Sequence, residues 1–196
     1  MKKNKLICVV GLTGSGKTEV ADYFTKQGYY YVRFGQLTLD DVKKRGLKPT
    51  EENERPIREA FRKEYGPAAF AILNMPKFDE GLKNGDVIGD GLYSWSEYKV
   101  LKEKYGDNLI IIAVIASSKI RYSRLTHRAD NYGDDPKMIH RSATLEAARA
   151  RDYAEIENIE KAGPIVMGDY TILNEGTLEE FKDKIKEIYN KINNEN

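Results

Sequence analysis

The 196 residues have the length of a single domain, with room for a sizeable core and small insertions. Lys and Arg number 32 against 31 Asp and Glu, which excludes the broad basic footprint expected of a nucleic-acid or anionic-membrane binder. The single cysteine, Cys8, excludes an internal disulfide and a metal knuckle and fits a reducing, cytoplasmic setting.

Leu6 to Val10 is continuous, apolar and partly β-branched, so it reads as a buried strand. A glycine-rich turn leads to a helix over Thr18 to Gln27, with Val20, Ala21 and Phe24 on one face and Gly28 as its stop. A strand over Tyr29 to Phe34 and a short helix over Leu37 to Lys44 follow. Thr50 to Asn84 is helical and charge-rich, broken at Gly66-Pro67. Asp86 to Gly89 reads as a third strand. Ser94 and Glu97 have capping-box spacing and open a helix that runs to Gly106.

Leu109 to Ala116 is the clearest strand, and as the longest apolar run it is far too short to span a bilayer. The N-terminal apolar stretch is likewise too short for a signal peptide. Lys119 to Arg128 is helical and basic, residues 129–136 form a polar break, and a long helix is expected over much of 139–161. Tyr170 to Leu173 is a last strand. Thr177 and Glu180 form a second capping box, and Leu178, Phe181, Ile185, Ile188 and Ile192 then step along one face of a C-terminal helix. Alternating strands and helices imply an α/β fold, a parallel sheet covered by helices on both faces.

Gly11-Leu12-Thr13-Gly14-Ser15-Gly16-Lys17-Thr18 fits the P-loop pattern at every position. Its glycines let successive N–H groups point at one centre, and the helix N-terminus adds its dipole, so the segment suits phosphate oxygens. Lys17 is placed to reach the β- and γ-phosphates, and the Thr18 hydroxyl to ligate Mg2+. Asp90, at the carboxyl end of the third strand, faces the ligand crevice and suits a metal held through water.

Arg121, Arg124 and Arg128 share a helix face, and Arg141, Arg149 and Arg151 follow the polar break. Phosphoryl transfer needs such cations, but Glu146, Asp152 and Glu155 are available to pair with them instead. His127 and His140 lack neighbouring ligands, so no zinc site is expected. Tyr29, Tyr30, Tyr31, Tyr93, Trp95 and Tyr98 read as packing residues rather than base-stacking platforms.

With these pieces in order, the chain resembles the nucleotide-kinase branch of the P-loop fold. It is similar to adenylate kinases, to dephospho-coenzyme A kinases, and most of all to an archaeal family of adenylate-kinase-related proteins. Beyond the P-loop the likeness is carried by residues 44–50, Glu64-Tyr65-Gly66-Pro67, Asp90-Gly91, Asp134-Asp135-Pro136-Lys137, Arg151-Asp152 and residues 174–179. It implies a five-stranded core, an acceptor-binding helical segment at 36–84 and a lid at 128–151. It also implies that Arg124, Arg128 and Arg141 meet phosphates on lid closure, and that the turn from Asn174 through Gly176 lies against adenine.

The acceptor side departs from that family. Gln36 and Leu39 stand where an acid and an arginine are usual, and Tyr93 where the archaeal relatives carry arginine. Arg33, Arg58 or Arg62 is available as a replacement cation, and Gln36, Tyr93, Arg141 and Arg151 complete the expected acceptor side.

The expectation is a kinase using ATP and Mg2+ on a nucleotide-like acceptor. Catalysis would rest on Lys17, Asp90, Arg124 and Arg128. The ATP site would comprise Gly11, Thr13, Gly14, Ser15, Gly16, Lys17, Thr18, Arg128, Asn174 and Gly176. The alternatives are a hydroxyl kinase of the dephospho-coenzyme A kinase type and a P-loop ATPase acting as a switch. No nucleic-acid or membrane partner is expected, and the chain is read as a monomer or small homo-oligomer.

Overall fold

The computed structural model describes residues 4–127 and 143–194. Five strands, β1 (Leu6–Val10), β2 (Tyr30–Arg33), β3 (Val87–Asp90), β4 (Leu109–Ile115) and β5 (Tyr170–Leu173), form one sheet in the order β2-β3-β1-β4-β5. Every pairing is parallel, so the carboxyl ends of all five strands lie on one edge.

The uniform apolarity of β1 follows from its central place. All five of its residues are buried, and they alternate between two cores. Leu6, Cys8 and Val10 join Phe34, Phe70, Phe78, Leu101 and Ile111 on one face. Ile7 and Val9 join Val20, Phe24, Ile112, Ile172 and Ile185 on the other. The first face is covered by α4 (Ala69–Asn84) and α5 (Trp95–Tyr105), the second by α1 (Lys17–Lys26) and α9 (Leu178–Asn194). Cys8 is fully buried, and burial pushes its thiol pKa far above the ordinary value.

Both capping boxes form. Ser94 Oγ accepts from Glu97 N at 3.1 Å while Glu97 Oε2 accepts from Ser94 N at 3.3 Å. Thr177 and Glu180 make the same reciprocal pair. Residues 36–84 fold into α2 (Gln36–Lys44), α3 (Glu51–Tyr65) and α4.

The helix expected over much of 139–161 is α7 (Leu145–Glu157), and a short α8 (Ala162–Val166) follows it. Between them Glu160 takes a left-handed φ of 51°, and Lys161 N donates to Glu155 O at 3.1 Å. Asn158 caps α7, and the bond then folds the chain back on itself with Glu160 at the left-handed position. The element between β4 and this pair is α6 (Ser118–Thr126). The polar break, Arg128, Arg141, His140 and most of the expected lid lie outside the described residues.

Candidate phosphoryl-transfer site

The loop between β1 and α1 is shaped by its glycines. Gly14 and Gly16 take φ of 84° and 106°, a region that L side chains rarely adopt. A Cβ at Gly11 would come within 2.3 Å of Val114 O, and one at Gly16 within 2.5 Å of Asn174 Nδ2, so the loop is seated tightly on β4 and β5. Ser15 is buried, and its Oγ has no hydrogen-bond partner among the described residues. An orphaned hydroxyl in a loop of converging amides fits an anionic ligand with spare oxygens.

Lys17 opens α1 and donates to Leu12 O at 3.1 Å. Burial brings its ammonium pKa down to about 7; the charge of Lys161 pushes the same way, and Glu155 and Asp90 oppose. A bound polyphosphate would restore its charge. Thr18 follows on the same helix turn.

Asp90 ends β3, in register with Val9 on β1 and Arg33 on β2. It is 6% exposed and accepts from the Tyr31 hydroxyl at 3.0 Å. Burial raises its pKa, against the pull of Lys17, the Tyr31 bond and Arg33. The position expected from sequence is therefore realised, with Tyr31 as an unforeseen neighbour. No cluster of three or more His, Cys, Asp or Glu side chains among the described residues would hold a metal alone. Thr18 and Asp90 would suit a divalent ion only alongside phosphate oxygens.

Past Asp90 the packing is aromatic, around the fully buried Phe34 and Phe70. Tyr93 packs edge-on against Phe34 and Phe70, and a Cβ at Gly35 would lie 2.6 Å from its hydroxyl. Burial raises its pKa, while the charges of Arg33 and Arg151 oppose. Arg62 stands over the Phe70 ring at 5.2 Å. Two other expected acceptor residues are engaged elsewhere. Gln36 donates to Asp40 at 2.8 Å, and Arg58 pairs with Glu51 and Glu54 on its own helix.

The arginines divide by role. Arg121 is buried in a two-pronged pair with Asp152, at 2.9 and 2.5 Å, and also donates to Thr13 O and Ala116 O. It braces the loop from behind. Arg124 donates to the carbonyl and the side chain of Asn174, both at 3.1 Å, and Asn174 Nδ2 donates to Ser15 O at 2.8 Å. This chain ties the β5 turn to the loop. Gly176 lies in the same turn, beside Glu180.

Arg151 meets Glu155, whose carboxylate also accepts from Thr13 Oγ1 at 3.1 Å and from Lys161 at 2.8 Å. The Glu155 pKa falls to about 2; burial opposes this, but the charges of Lys161, Arg151 and Lys17 outweigh it. Sequence reading foresaw acids pairing with these arginines but gave Lys161 no role. The signal that places it is the helix end at Asn158.

A family model described as an AAA domain matches residues 7–154. A UPF0200 protein of Thermococcus sibiricus is 34% identical over 185 residues, 93% of each chain. A UPF0200 protein of Pyrococcus horikoshii is 33% identical, over 95% of this chain and 97% of its own. Among solved structures, a shikimate kinase from Bacteroides thetaiotaomicron superposes with a TM-score of 0.57 at 13% identity, over 96% of this chain and 98% of that one. A gluconokinase from Sinorhizobium meliloti does so at 0.52 and 16%, over 97% and 99%. At such identities the solved structures speak to fold alone, and that fold is the kinase-like P-loop fold. The family model and the archaeal relatives together place this chain in the UPF0200 family, on an AAA-type P-loop domain.

Proposed function

We propose that the protein is a phosphotransferase that moves the γ-phosphoryl group of ATP to a nucleotide-like small molecule. The observation that carries this reading is the meeting of two unlike groups at the carboxyl ends of neighbouring parallel strands: the phosphate-shaped loop with Lys17 follows β1, and Asp90 ends β3 in register with Arg33 on β2. A transferase must hold an acceptor in line beside the loop, and these strand ends supply a carboxylate and a cation for that purpose.

In this reading the loop amides and Ser15 orient the polyphosphate, and Lys17 neutralises its developing charge. Magnesium, when bound with ATP, would be held by Thr18 and through water by Asp90, and would draw charge off the phosphates. Arg124, Arg128, Arg141 and the segment 128–151 are assigned to the phosphates on closure over the nucleotide, Asn174 and Gly176 to its adenine end. Arg33, Tyr93 and Arg151 are assigned to the acceptor side, with Arg62 as an added cation; Gln36 and Arg58 would join them only by leaving Asp40 and the Glu51–Glu54 pair.

The test is ADP formation with ATP and a panel of nucleoside monophosphates, nucleosides and dephospho-coenzyme A. Turnover that rises with one added acceptor is expected; none with any of them would reject the proposal. Lys17→Ala should cut that turnover at least a hundredfold without altering the circular dichroism spectrum, as loss of a transition-state cation does.

A second reading, a hydroxyl kinase, is favoured by Asp90 itself. A buried carboxylate with a raised pKa is suited to take a hydroxyl proton. In that case kcat should rise with pH through the raised Asp90 pKa, and nucleosides or dephospho-coenzyme A should outperform monophosphates in the panel.

A further inference from the structure

Lys161 is 1% exposed, and its only hydrogen-bond acceptor among the described residues is Glu155 Oε2, at 2.8 Å. Its ammonium also stands 5.2 Å above the Tyr93 ring. A buried Lys–Glu pair contributes little net stability, because desolvating both charges offsets their attraction. The location of this one is more informative than its energy. Through one carboxylate Lys161 is linked to Thr13 at the tip of the loop, and through the ring it meets Tyr93 just beyond Asp90. It therefore joins the phosphate loop to the residues that follow the β3 strand end.

The Glu155 carboxylate is held by three donors: Thr13 Oγ1, Arg151 Nε and Lys161 Nζ. Such a donor set, from the loop tip and two cations, also matches a phosphoryl group. We propose that Lys161 is a second phosphate-gripping lysine. Glu155 holds it in place, and the terminal phosphate of a bound triphosphate takes it over wholly or in part. Lys17 and Lys161 then bracket the group to be transferred, one from the loop and one from the acceptor side. The inference rests on the polyphosphate reading of the loop.

The experiment is calorimetric titration with ATP and with ADP, comparing wild type, Glu155→Gln, and the double variant Glu155→Gln/Lys161→Met. The double variant removes both buried charges, so no lone ion is left in the interior. Glu155→Gln frees the lysine and should keep or raise the preference for ATP over ADP. The double variant should lose about tenfold of that preference, the worth of one charge-assisted contact of roughly 1.4 kcal/mol. Equal ATP-to-ADP ratios in the two variants would overturn the assignment of Lys161 and leave the loop reading standing. Failure of the wild type to bind either nucleotide would overturn the loop reading, and this inference with it.

Discussion

Glu97 does two things that conflict. Its Oε2 accepts from Tyr93 N and Ser94 N, which sets the start of α5, while its Oε1 is buried with no hydrogen-bond partner. Burial lifts its pKa to about 7, opposed by those amides and by Arg62 and Lys161. In the unfolded chain the group returns to the ordinary 4.5. Between these values the folded state binds more protons than the unfolded one, so stability falls as pH rises from 4.5 to about 7 and stays lower above that. Glu97→Gln keeps the accepting oxygen and removes the charge. At pH 8 it should stabilise the protein by roughly 3 kcal/mol, at about 1.36 kcal/mol per pKa unit, and the gain should vanish by pH 4. Thermal melts of both proteins across that range check it. No reading of the sequence reaches this result: a capping box was visible, but its burial was not.

At the scale of elements, α6 and α7 are joined by Arg121 and Asp152, 5% and 8% exposed at their side chains. The same guanidinium donates to Thr13 O, so this helix pairing also supports the phosphate loop. Asp152→Ala leaves a buried arginine without its partner and should cost about 3–5 kcal/mol, read from urea unfolding. Nucleotide affinity should fall as well, because the loop loses a brace. Element type was legible in the sequence wherever period and punctuation agreed: β1, α1, both capping boxes and the amphipathic α9 stand where periodicity puts them. The end of α7 was only faintly legible: Asn158 caps it, but the left-handed position itself is taken by Glu160 and not by a glycine. With that turn unseen, Lys161 could not be placed beside Glu155. The P-loop was legible because its chemistry is local. The Arg121–Asp152 brace and the Tyr31–Asp90 contact join residues 31 and 59 positions apart, and only the fold brings them together.

For the whole molecule, the sheet order places β1 at the centre, so the loop that follows it is held between β4 and the turn after β5. The C-terminal helix closes the α1 face: Phe181, Ile185, Ile188 and Ile192 are buried there, and Tyr189 meets Tyr23, Phe24 and Tyr29 edge-on. Ile185→Ala should cost about 2–5 kcal/mol by opening a cavity under α1, measured by denaturant midpoint. Phe181 also lies under Gly16, so loosening α9 should weaken nucleotide binding in step with stability.

Cys8 offers a way to watch this happen. The chain has a single thiol, fully enclosed in the middle strand, where a Cβ at Gly89 on the next strand would come within 3.1 Å of its sulfur. A disulfide reagent such as DTNB can reach it only when the sheet itself comes apart, so its colour reaction clocks global opening. Slower labelling on adding ATP would report occupancy of the crevice, with no enzymatic turnover and no attached dye.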